Sequence, residues 1–190
     1  ILKNKNLDNQ FLEIIHTDEN IKGEDSALAA AKRGKNTSMW LAIESVKNKS
    51  SDIVVSAGNT GALFVIAKLN LKMIENIDKP ALSGLWPNKI GMNIVLDLGA
   101  NIECSEKNLK DFSIMGAALH KSLFPNENSK VALLNIGSEE LKGNTVIKNT
   151  YQELNKSKNP LFDFAGYIEG NHIMDGDVNV IVTDGFTGNV

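Results

Sequence analysis

The sequence predicts an α/β fold built on a mostly parallel β-sheet with helices on both faces. Four short apolar runs are rich in β-branched residues and show no alternation of apolar and polar positions, which is typical of strands buried on both faces. Each run ends in a cluster of Gly, Asn, Asp or Ser, and the runs span residues 52–61, 93–101, 131–140 and 178–189. Helical segments separate them, which indicates βαβ crossovers.

The first half of the chain is predicted to contain both helices and strands. Residues 26–32 are rich in Ala, and residues 37–47 place apolar side chains at helical spacing. Residues 62–74 are apolar almost all round, which predicts a well-buried helix. Strands are predicted at 11–17, at the start of the run 52–61, and at 81–86, where Pro87 closes the strand.

The second half alternates strands with longer helices. Ser105 is a plausible N-cap for a helix to about Phe124, and Asn144 can cap a helix over 145–156. Residues 161–168 read as a further strand, and a turn-rich link over 170–176 leads into the last run. Because no domain boundary, repeat or linker is visible, a single α/β domain over residues 1–190 is predicted.

Composition excludes several classes of function. The formal net charge is −3 and no basic tract occurs, so no nucleic-acid partner is expected. Cys104 is the single cysteine, which rules out an internal disulfide and fits a reducing cytoplasm. The chain opens on Ile1 and stops at Val190 just after a Gly-rich turn, so we expect an internal piece of a longer protein, truncated at both ends.

The polar ends of the four runs predict one binding cleft. In open α/β sheets, ligands bind beyond the carboxyl ends of the strands. Gly58-Asn59-Thr60-Gly61 sits between a predicted strand and a predicted helix, where Gly can simply permit a tight turn. Alternatively, its backbone N–H groups and the helix N-terminus bind an anion such as phosphate, and four similar ends favour this second interpretation. Gly185–Gly188 repeats the G-x-x-G pattern.

Single side chains near these ends leave alternatives open. Lys142 follows two carboxylates, which suggests either an ordinary loop ion pair or a point charge aimed at a phosphate or oxyanion. Cys104 could form a covalent acyl intermediate, but a small buried thiol is favoured. Asp97 and Asp184 could be bases or metal ligands, although an Asp at a strand end more often accepts hydrogen bonds from loop backbone.

Several familiar signatures do not occur in the sequence. There is no G-x-x-x-x-G-K-[ST] loop, no G-x-G-x-x-G fingerprint, no H-E-x-x-H pair and no G-x-S-x-G elbow. These patterns belong to nucleotide hydrolysis, dinucleotide binding, zinc hydrolases and serine hydrolases, so no metal or cofactor is predicted.

Five motifs together resemble one known family. They are 56–62 (SAGNTGA), 77–81 (IDKPA), 96–101 (LDLGAN), 134–137 with 142–144 (LNIG and KGN), and 184–189 (DGFTGN). Their order and spacing are similar to those of the PlsX family, the bacterial phosphate acyltransferases of phospholipid synthesis. The resemblance implies a Rossmann-like three-layer α/β/α sandwich, related to the isocitrate dehydrogenase and phosphotransacetylase group.

The resemblance also implies an activity and partners. Members make acyl phosphate from a fatty acyl group on acyl carrier protein and inorganic phosphate, without a cofactor. They are expected to be homodimers in the cytoplasm, peripherally associated with the membrane, and their product feeds a glycerol-3-phosphate acyltransferase. By the family motifs Lys142 and Asn189 are catalytic, and phosphate or substrate binding falls to Gly58, Asn59, Thr60, Gly61, Asn101, Asn144, Asp184, Gly185 and Gly188.

The chain departs from the family pattern in places. The family's N-terminal Asp-Ala-Met-Gly-Gly-Asp strand end and the amphipathic helices that follow the last motif do not occur in it. Trp86-Pro87-Asn88 replaces the more usual Leu/Ile-Pro-Thr, and Asn171-His172 replaces Arg-Asp.

The implied chemistry explains why no catalytic triad is found. Phosphate has a second pKa near ~6–7, so much of it is dianionic at neutral pH and needs no strong base. The main task is to position it and to stabilise the oxyanion. Three alternatives remain: a short-chain phosphotransacetylase that uses acyl-coenzyme A, a nicotinamide-dependent decarboxylating dehydrogenase of the broader fold, and a non-catalytic docking module for acyl carrier protein or membrane.

Overall fold

The computed structural model describes residues 12–190. The described residues divide into two compact units, 12–72 and 73–190. The prediction of a single domain therefore stays a prediction, and each unit is described by itself. Within the described residues, no helix is both long enough and apolar enough to cross a membrane.

The first unit contains three helices, α1 (Ala27–Lys32), α2 (Ser38–Lys47) and α3 (Thr60–Leu71). Each begins after a residue whose side chain accepts a hydrogen bond from the first turn; these N-caps are Ser26, Thr37 and Asn59. Ile43 and Ile66 lie at the centre of their shared apolar core. The helix predicted over 62–74 is less buried than expected, because Leu69 is 61% exposed.

Two strand predictions in the first unit are wrong. Residues 12–17 are irregular, and Phe11 lies outside the described residues. Residues 52–58 form no strand either, and Ile53 and Val55 are 76% and 87% exposed. A strand needs a hydrogen-bonded neighbour, and residues 12–72 contain no other strand to supply one. The β-branched composition of the run does not replace that partner.

The second unit contains a five-stranded sheet in the order β1-β2-β5-β3-β4. Its strands are β1 (Ser83–Pro87), β2 (Met92–Leu96), β3 (Lys130–Asn135), β4 (Asp163–Glu169) and β5 (Val180–Val182). Strands β2, β5, β3 and β4 are parallel, whereas β1 pairs antiparallel with β2 at the edge. The edge position tolerates Pro87, which has no N–H to donate.

Two long helices, α4 (Glu106–Leu123) and α5 (Thr145–Lys156), pack with the sheet around one core. Both begin where the sequence predicts: Ser105 forms a capping box with Asn108, and the Asn144 side chain caps α5. A short helix, α6 (Gly185–Asn189), follows β5. The fold is therefore mixed α/β with a mostly parallel sheet, consistent with the predicted Rossmann-like three-layer sandwich.

The centre of the sheet is apolar on both faces, as the unalternating sequence runs predict. Ile94, Leu96 and Val180 lie in the core shared with α4, whereas Val95 and Ile181 belong to a second buried cluster. Polar residues follow these buried strands directly: Asp97 comes after β2, and Thr183 and Asp184 come after β5. These polar ends are the places where the chain can bind ligands.

Candidate active site

The carboxyl ends of three adjacent parallel strands meet at one edge of the sheet in the second unit. The segments that follow β2, β5 and β3 are residues 97–104, 183–189 and 136–144. They contain all seven predicted site residues of this unit, namely Asn101, Lys142, Asn144, Asp184, Gly185, Gly188 and Asn189. The structure thus brings these residues to a common edge, as the sequence predicts.

Asp97 organises the turn after β2. Its fully buried Oδ1 accepts hydrogen bonds from the N–H groups of Leu82 at 2.9 Å, Ala100 at 3.0 Å and Gly99 at 3.3 Å. Its Oδ2 accepts from the backbone N–H of Asn101 at 2.7 Å and from Asn101 Nδ2 at 2.8 Å. Five donors around one carboxylate make Asp97 a structural acceptor, which confirms the loop-backbone interpretation.

Asn101 is also used by this turn. Its Nδ2 donates to the carbonyl of Pro80 at 2.7 Å as well as to Asp97, so both amide hydrogens are engaged. Its own carbonyl accepts from the N–H of Gly185 at 2.8 Å. Only Oδ1 of the Asn101 side chain is left for a ligand. If Asn101 binds substrate through its side chain, as predicted, it therefore does so by accepting a hydrogen bond from the ligand.

The backbone of Gly185–Gly188 is not a free phosphate-binding loop. The N–H of Gly185 donates to Asn101, the N–H of Thr187 to Asp184 Oδ1 at 2.8 Å, and the N–H of Gly188 to the Asp184 carbonyl at 3.0 Å. Three of the four amides are therefore occupied within the protein. Phosphate binding by this segment stays a prediction, and the hydrogen bonds leave only the N–H of Phe186 without a protein acceptor among residues 12–190.

The two glycines of α6 instead permit close packing. A Cβ at Gly185 would lie 2.6 Å from the Asn101 carbonyl oxygen, and a Cβ at Gly188 would overlap the carbonyl oxygen of Asp97. Glycine is the residue that allows backbone to approach backbone so closely. Helix α6 is thereby held against the 97–101 turn.

Asn189 lies at the end of α6, over the same turn. A Cβ at Gly99 would come within 3.0 Å of Asn189 Oδ1, and the φ angle of Gly99 is +125°. The Asn189 side chain is exposed and makes no hydrogen bond with any other residue of 12–190. Its amide is thus positioned by packing and is available to a ligand.

Asn135, the last residue of β3, holds the loop that carries Lys142. Its buried Nδ2 donates to the carbonyls of Gly137 at 3.0 Å and Lys142 at 3.2 Å. Gly143, with a φ of +89°, lets the loop pass so close that a Cβ there would lie 2.5 Å from Asn135 Oδ1. Sequence reasoning did not assign Asn135 a role, although a polar residue ending a buried strand within a motif is the available signal.

Lys142 presents a cation without a carboxylate partner. Its side chain is exposed and forms no ion pair with any described Asp or Glu, including the neighbouring Glu139 and Glu140. Glu140 accepts a hydrogen bond from the Tyr151 hydroxyl at 3.3 Å instead. The loop ion pair that competed with a functional role in the sequence is therefore not formed.

A cavity of about 460 Å³ opens between the three segments. Each segment contributes to its wall: Ile102 and Cys104 after β2, Asn144 and Ile147 after β3, and Asp184 and Phe186 after β5. Asn144 also caps α5 by accepting from the N–H of Ile147 at 2.9 Å, so its side chain belongs to both the helix and the cavity. Among residues 12–190, no cluster of three His, Cys, Asp or Glu side chains is placed to hold a metal ion.

Cys104 is a half-buried thiol in this wall. Burial raises the pKa of the Cys104 thiol above its ordinary value, and its Sγ lies 3.7 Å from the Asn101 carbonyl. Because the thiolate is the nucleophilic form, a raised pKa disfavours a covalent acyl-cysteine. This supports the non-catalytic interpretation of Cys104.

We expect the alkylation of Cys104 by iodoacetamide to titrate at higher pH in the folded chain than in the same chain unfolded in urea. The thiol must lose its proton to react, and burial makes this loss harder in the folded state. Mass spectrometry of the peptide that contains Cys104 gives the rate at each pH. A folded-state midpoint at or below the unfolded one would contradict this description.

The predicted site residues of the first unit surround the start of α3. Asn59 Oδ1 accepts from the N–H of Ala62 at 2.9 Å, and its Nδ2 donates to the carbonyls of Gly23 and Asp25, both at 2.9 Å. The Asn59 side chain is therefore used to cap α3 and to hold the preceding loop. Phosphate binding by Gly58, Thr60 and Gly61 stays a prediction.

Comparison with known proteins agrees with the motifs. The model of a family described as "Fatty acid synthesis protein" matches residues 1–190. A protein of Pelagibacter ubique strain HTCC1062, named phosphate acyltransferase, is 74% identical over 178 residues, which cover 94% of this chain and 54% of that protein. Proteins of the same name from Maricaulis maris (44% identical, 94% and 50% covered) and Paramagnetospirillum magneticum (42% identical, 93% and 50% covered) are also similar. The chain thus spans about half the length of these relatives. It belongs to the fatty acid synthesis protein family, the PlsX family that its five motifs indicate.

Proposed function

We propose that the protein is a phosphate acyltransferase that moves a fatty acyl group from acyl carrier protein to inorganic phosphate, for phospholipid synthesis. The observation that carries the proposal is the unpaired ammonium of Lys142, on a loop fastened by Asn135 at the edge shared by β2, β5 and β3. A fixed cation at this place suits an anionic nucleophile or a developing oxyanion.

The proposed reaction needs no base and no covalent enzyme intermediate. A phosphate oxygen attacks the thioester carbonyl carbon, and the negative charge passes to the carbonyl oxygen. The tetrahedral intermediate then collapses, the C–S bond breaks, and the thiolate of the carrier leaves as acyl phosphate forms. Lys142 neutralises charge on phosphate or on the oxyanion, while the free amide of Asn189 orients the thioester or the nucleophile.

The broader biological setting is part of the same proposal. The resemblance supports a homodimer that associates peripherally with the membrane, where a glycerol-3-phosphate acyltransferase consumes the acyl phosphate. An activated acyl group on phosphate is a reasonable donor for such an enzyme, because phosphate is a good leaving group and the product retains the apolar chain.

The activity is tested in a chimaera in which this chain replaces the matching segment of the Pelagibacter ubique relative, so that the reaction is measured at that protein's full length. Palmitoyl–acyl carrier protein and phosphate are supplied, and acyl phosphate is trapped with hydroxylamine. We expect hydroxamate and an equal amount of free carrier thiol, both dependent on phosphate.

The parent relative and a reaction without phosphate are the controls. A chimaera that gives the same circular dichroism spectrum as the active parent but forms no hydroxamate would contradict the proposal. A parallel series with acyl-coenzyme A separates the nearest alternative. Faster turnover of acetyl-coenzyme A than of palmitoyl–acyl carrier protein would instead identify a short-chain phosphotransacetylase.

A further inference from the structure

The cavity at the carboxyl edge of the sheet has both apolar and polar wall residues. Five of its wall residues have aliphatic or aromatic side chains: Ile102, Leu109, Val146, Ile147 and Phe186. Pockets of a few hundred Å³ with apolar walls and a few polar groups are typical small-ligand sites. The volume of about 460 Å³ falls within that range.

Apolar side chains around the cavity are unusually exposed. Ile102, in the loop after β2, is 71% exposed, and Phe186, in α6, is 64% exposed. The loop that carries Lys142 adds Ile136 at 82% and Leu141 at 86% exposure. All three segments at this edge therefore present exposed apolar side chains, and Ile102 and Phe186 line the cavity itself.

The charges on the wall argue against an anion in this cavity. Glu103 and Asp184 contribute its ionisable oxygen atoms, and no Lys or Arg lines it. A phosphate dianion would be repelled by these carboxylates and would lose its hydration in an apolar space. The cavity and the Lys142 ammonium therefore suit two different parts of a substrate.

The position of the cavity connects it to the proposed chemistry. On one side its wall includes Asn144, two residues after Lys142. On another side its wall includes Asp184 and Phe186, which precede Asn189 within the α6 segment. The two residues with proposed roles in the chemistry therefore lie close in the chain to residues of the cavity wall.

We propose that this cavity binds the alkyl chain of the acyl donor and so determines which chain lengths the protein accepts. The inference rests on the proposed acyl transfer, because it places the alkyl chain of that substrate beside the reacting carbonyl. Each methylene that leaves water for the cavity raises kcat/KM by about fourfold, until the apolar space is full. A phosphate-binding role for the same cavity is the competing possibility.

Filling the cavity tests the proposal. Ile147→Trp adds bulk to the wall contributed by α5, whereas Gln152→Trp adds a tryptophan to the same helix at an exposed position outside this cavity. In the chimaera, kcat/KM is measured with acyl carrier protein that bears acyl chains of about 4, 8, 12 and 16 carbon atoms, so that the apolar area of the donor increases from one substrate to the next. We expect Ile147→Trp to lower the ratio of kcat/KM for the longest donor to kcat/KM for the shortest donor by about tenfold or more. We expect Gln152→Trp to leave that ratio unchanged.

A second variant and a binding measurement keep the test independent of folding and of turnover. Ile102→Trp alters an exposed wall position, which accepts a larger side chain without a change in the core. Cys104 also lines the cavity, so its alkylation by N-ethylmaleimide reports occupancy. We expect palmitate, but not acetate or inorganic phosphate, to slow this alkylation.

The outcomes distinguish failure of the alkyl-chain site from failure of the proposed acyl transfer. Unchanged chain-length ratios in both wall variants, or protection of Cys104 by phosphate in place of palmitate, would overturn the assignment of the alkyl chain to this cavity. If no donor yields hydroxamate in the unmodified chimaera, the proposed acyl transfer fails. In that case protection by palmitate would still support an alkyl-chain site, and lack of protection would remove it.

Discussion

Replacing Lys142 by alanine is expected to lower the rate of acyl phosphate formation by about 10²–10³-fold, the range typical of removing one donor from an oxyanion site. The ammonium is exposed and pairs with no described carboxylate, whereas the nearby Lys79 ammonium donates to the Glu103 carbonyl at 2.8 Å. The expected loss follows from its assigned task, which is to neutralise charge that grows as phosphate adds to the thioester.

The same replacement is expected to leave the fold intact. Asn135 binds the Lys142 loop through the backbone carbonyl of residue 142, which alanine retains. The thermal midpoint of the chimaera should therefore change little, because surface substitutions are usually within about 0.5 kcal/mol. A fall in rate without a fall in stability separates a chemical role from a structural one.

The measurement is kcat and KM for phosphate in the chimaera, with hydroxamate as the product signal. Lys158→Ala is the matched control, because Lys158 is an exposed lysine in the loop after α5, away from the carboxyl edge. Lys142→Arg retains the charge but changes its shape, and a partial loss is expected. Wild-type turnover by Lys142→Ala at saturating phosphate would refute the assignment.

Helix boundaries in this protein could be predicted from the sequence because their signals are local. The side chains of Ser105 and Asn144 each accept a hydrogen bond from the backbone N–H three positions later, so both partners lie within one short stretch of sequence. The buried strands β2 and β3 were predictable for a related reason. Their unalternating apolar runs indicate burial on both faces wherever the neighbouring strands lie in the chain.

The run 52–58 shows where such reasoning fails. Its composition resembles that of β2, yet it forms no strand within residues 12–72. Pairing depends on a neighbouring strand that the run itself does not specify, so propensity alone cannot decide the outcome. Ile53 and Val55 in this run are exposed in the described unit.

The sequence predicted where the candidate site lies, but it predicted only part of what the individual residues of the site do. Glycine-rich ends indicated where Asn101, Gly185 and Gly188 would meet, and the structure confirms that they do. Sequence spacing could not reveal where their N–H groups donate: that of Gly185 to the Asn101 carbonyl, that of Gly188 to the Asp184 carbonyl and that of Asn101 to the Asp97 carboxylate. The same limit hid Asn135, whose hydrogen bond to the Lys142 carbonyl joins residues seven positions apart across a loop.

Gly188→Ala is the second change with a large expected effect, because it separates packing from anion binding. A Cβ at position 188 would overlap the carbonyl oxygen of Asp97 and lie 3.1 Å from Thr183 Cγ2. That carbonyl cannot easily move, since the N–H of Asp97 donates to Thr183 at 3.0 Å and its carboxylate holds the following turn. Overpacking of this kind typically costs about 1–3 kcal/mol.

The protein can accommodate the added methyl group in two ways, and both displace the side chain of Asn189. Either the turn 97–101 shifts, or α6 separates from it; in each case the amide of Asn189 moves from its place over Gly99. We therefore expect a lower free energy of unfolding in urea and a fall in the rate of acyl phosphate formation. A displacement near 1 Å at a reacting group is enough to cost about 10²-fold in rate.

Gly170→Ala is the matched control for this change. No atom lies within 4 Å of a Cβ at position 170, so the same methyl group enters open space. If Gly188 served only to offer its N–H to phosphate, alanine would retain that donor and both variants would behave alike. Equal unfolding free energies and equal rates for Gly188→Ala and Gly170→Ala would therefore reject close packing of α6 on Asp97 as the reason for glycine at this position.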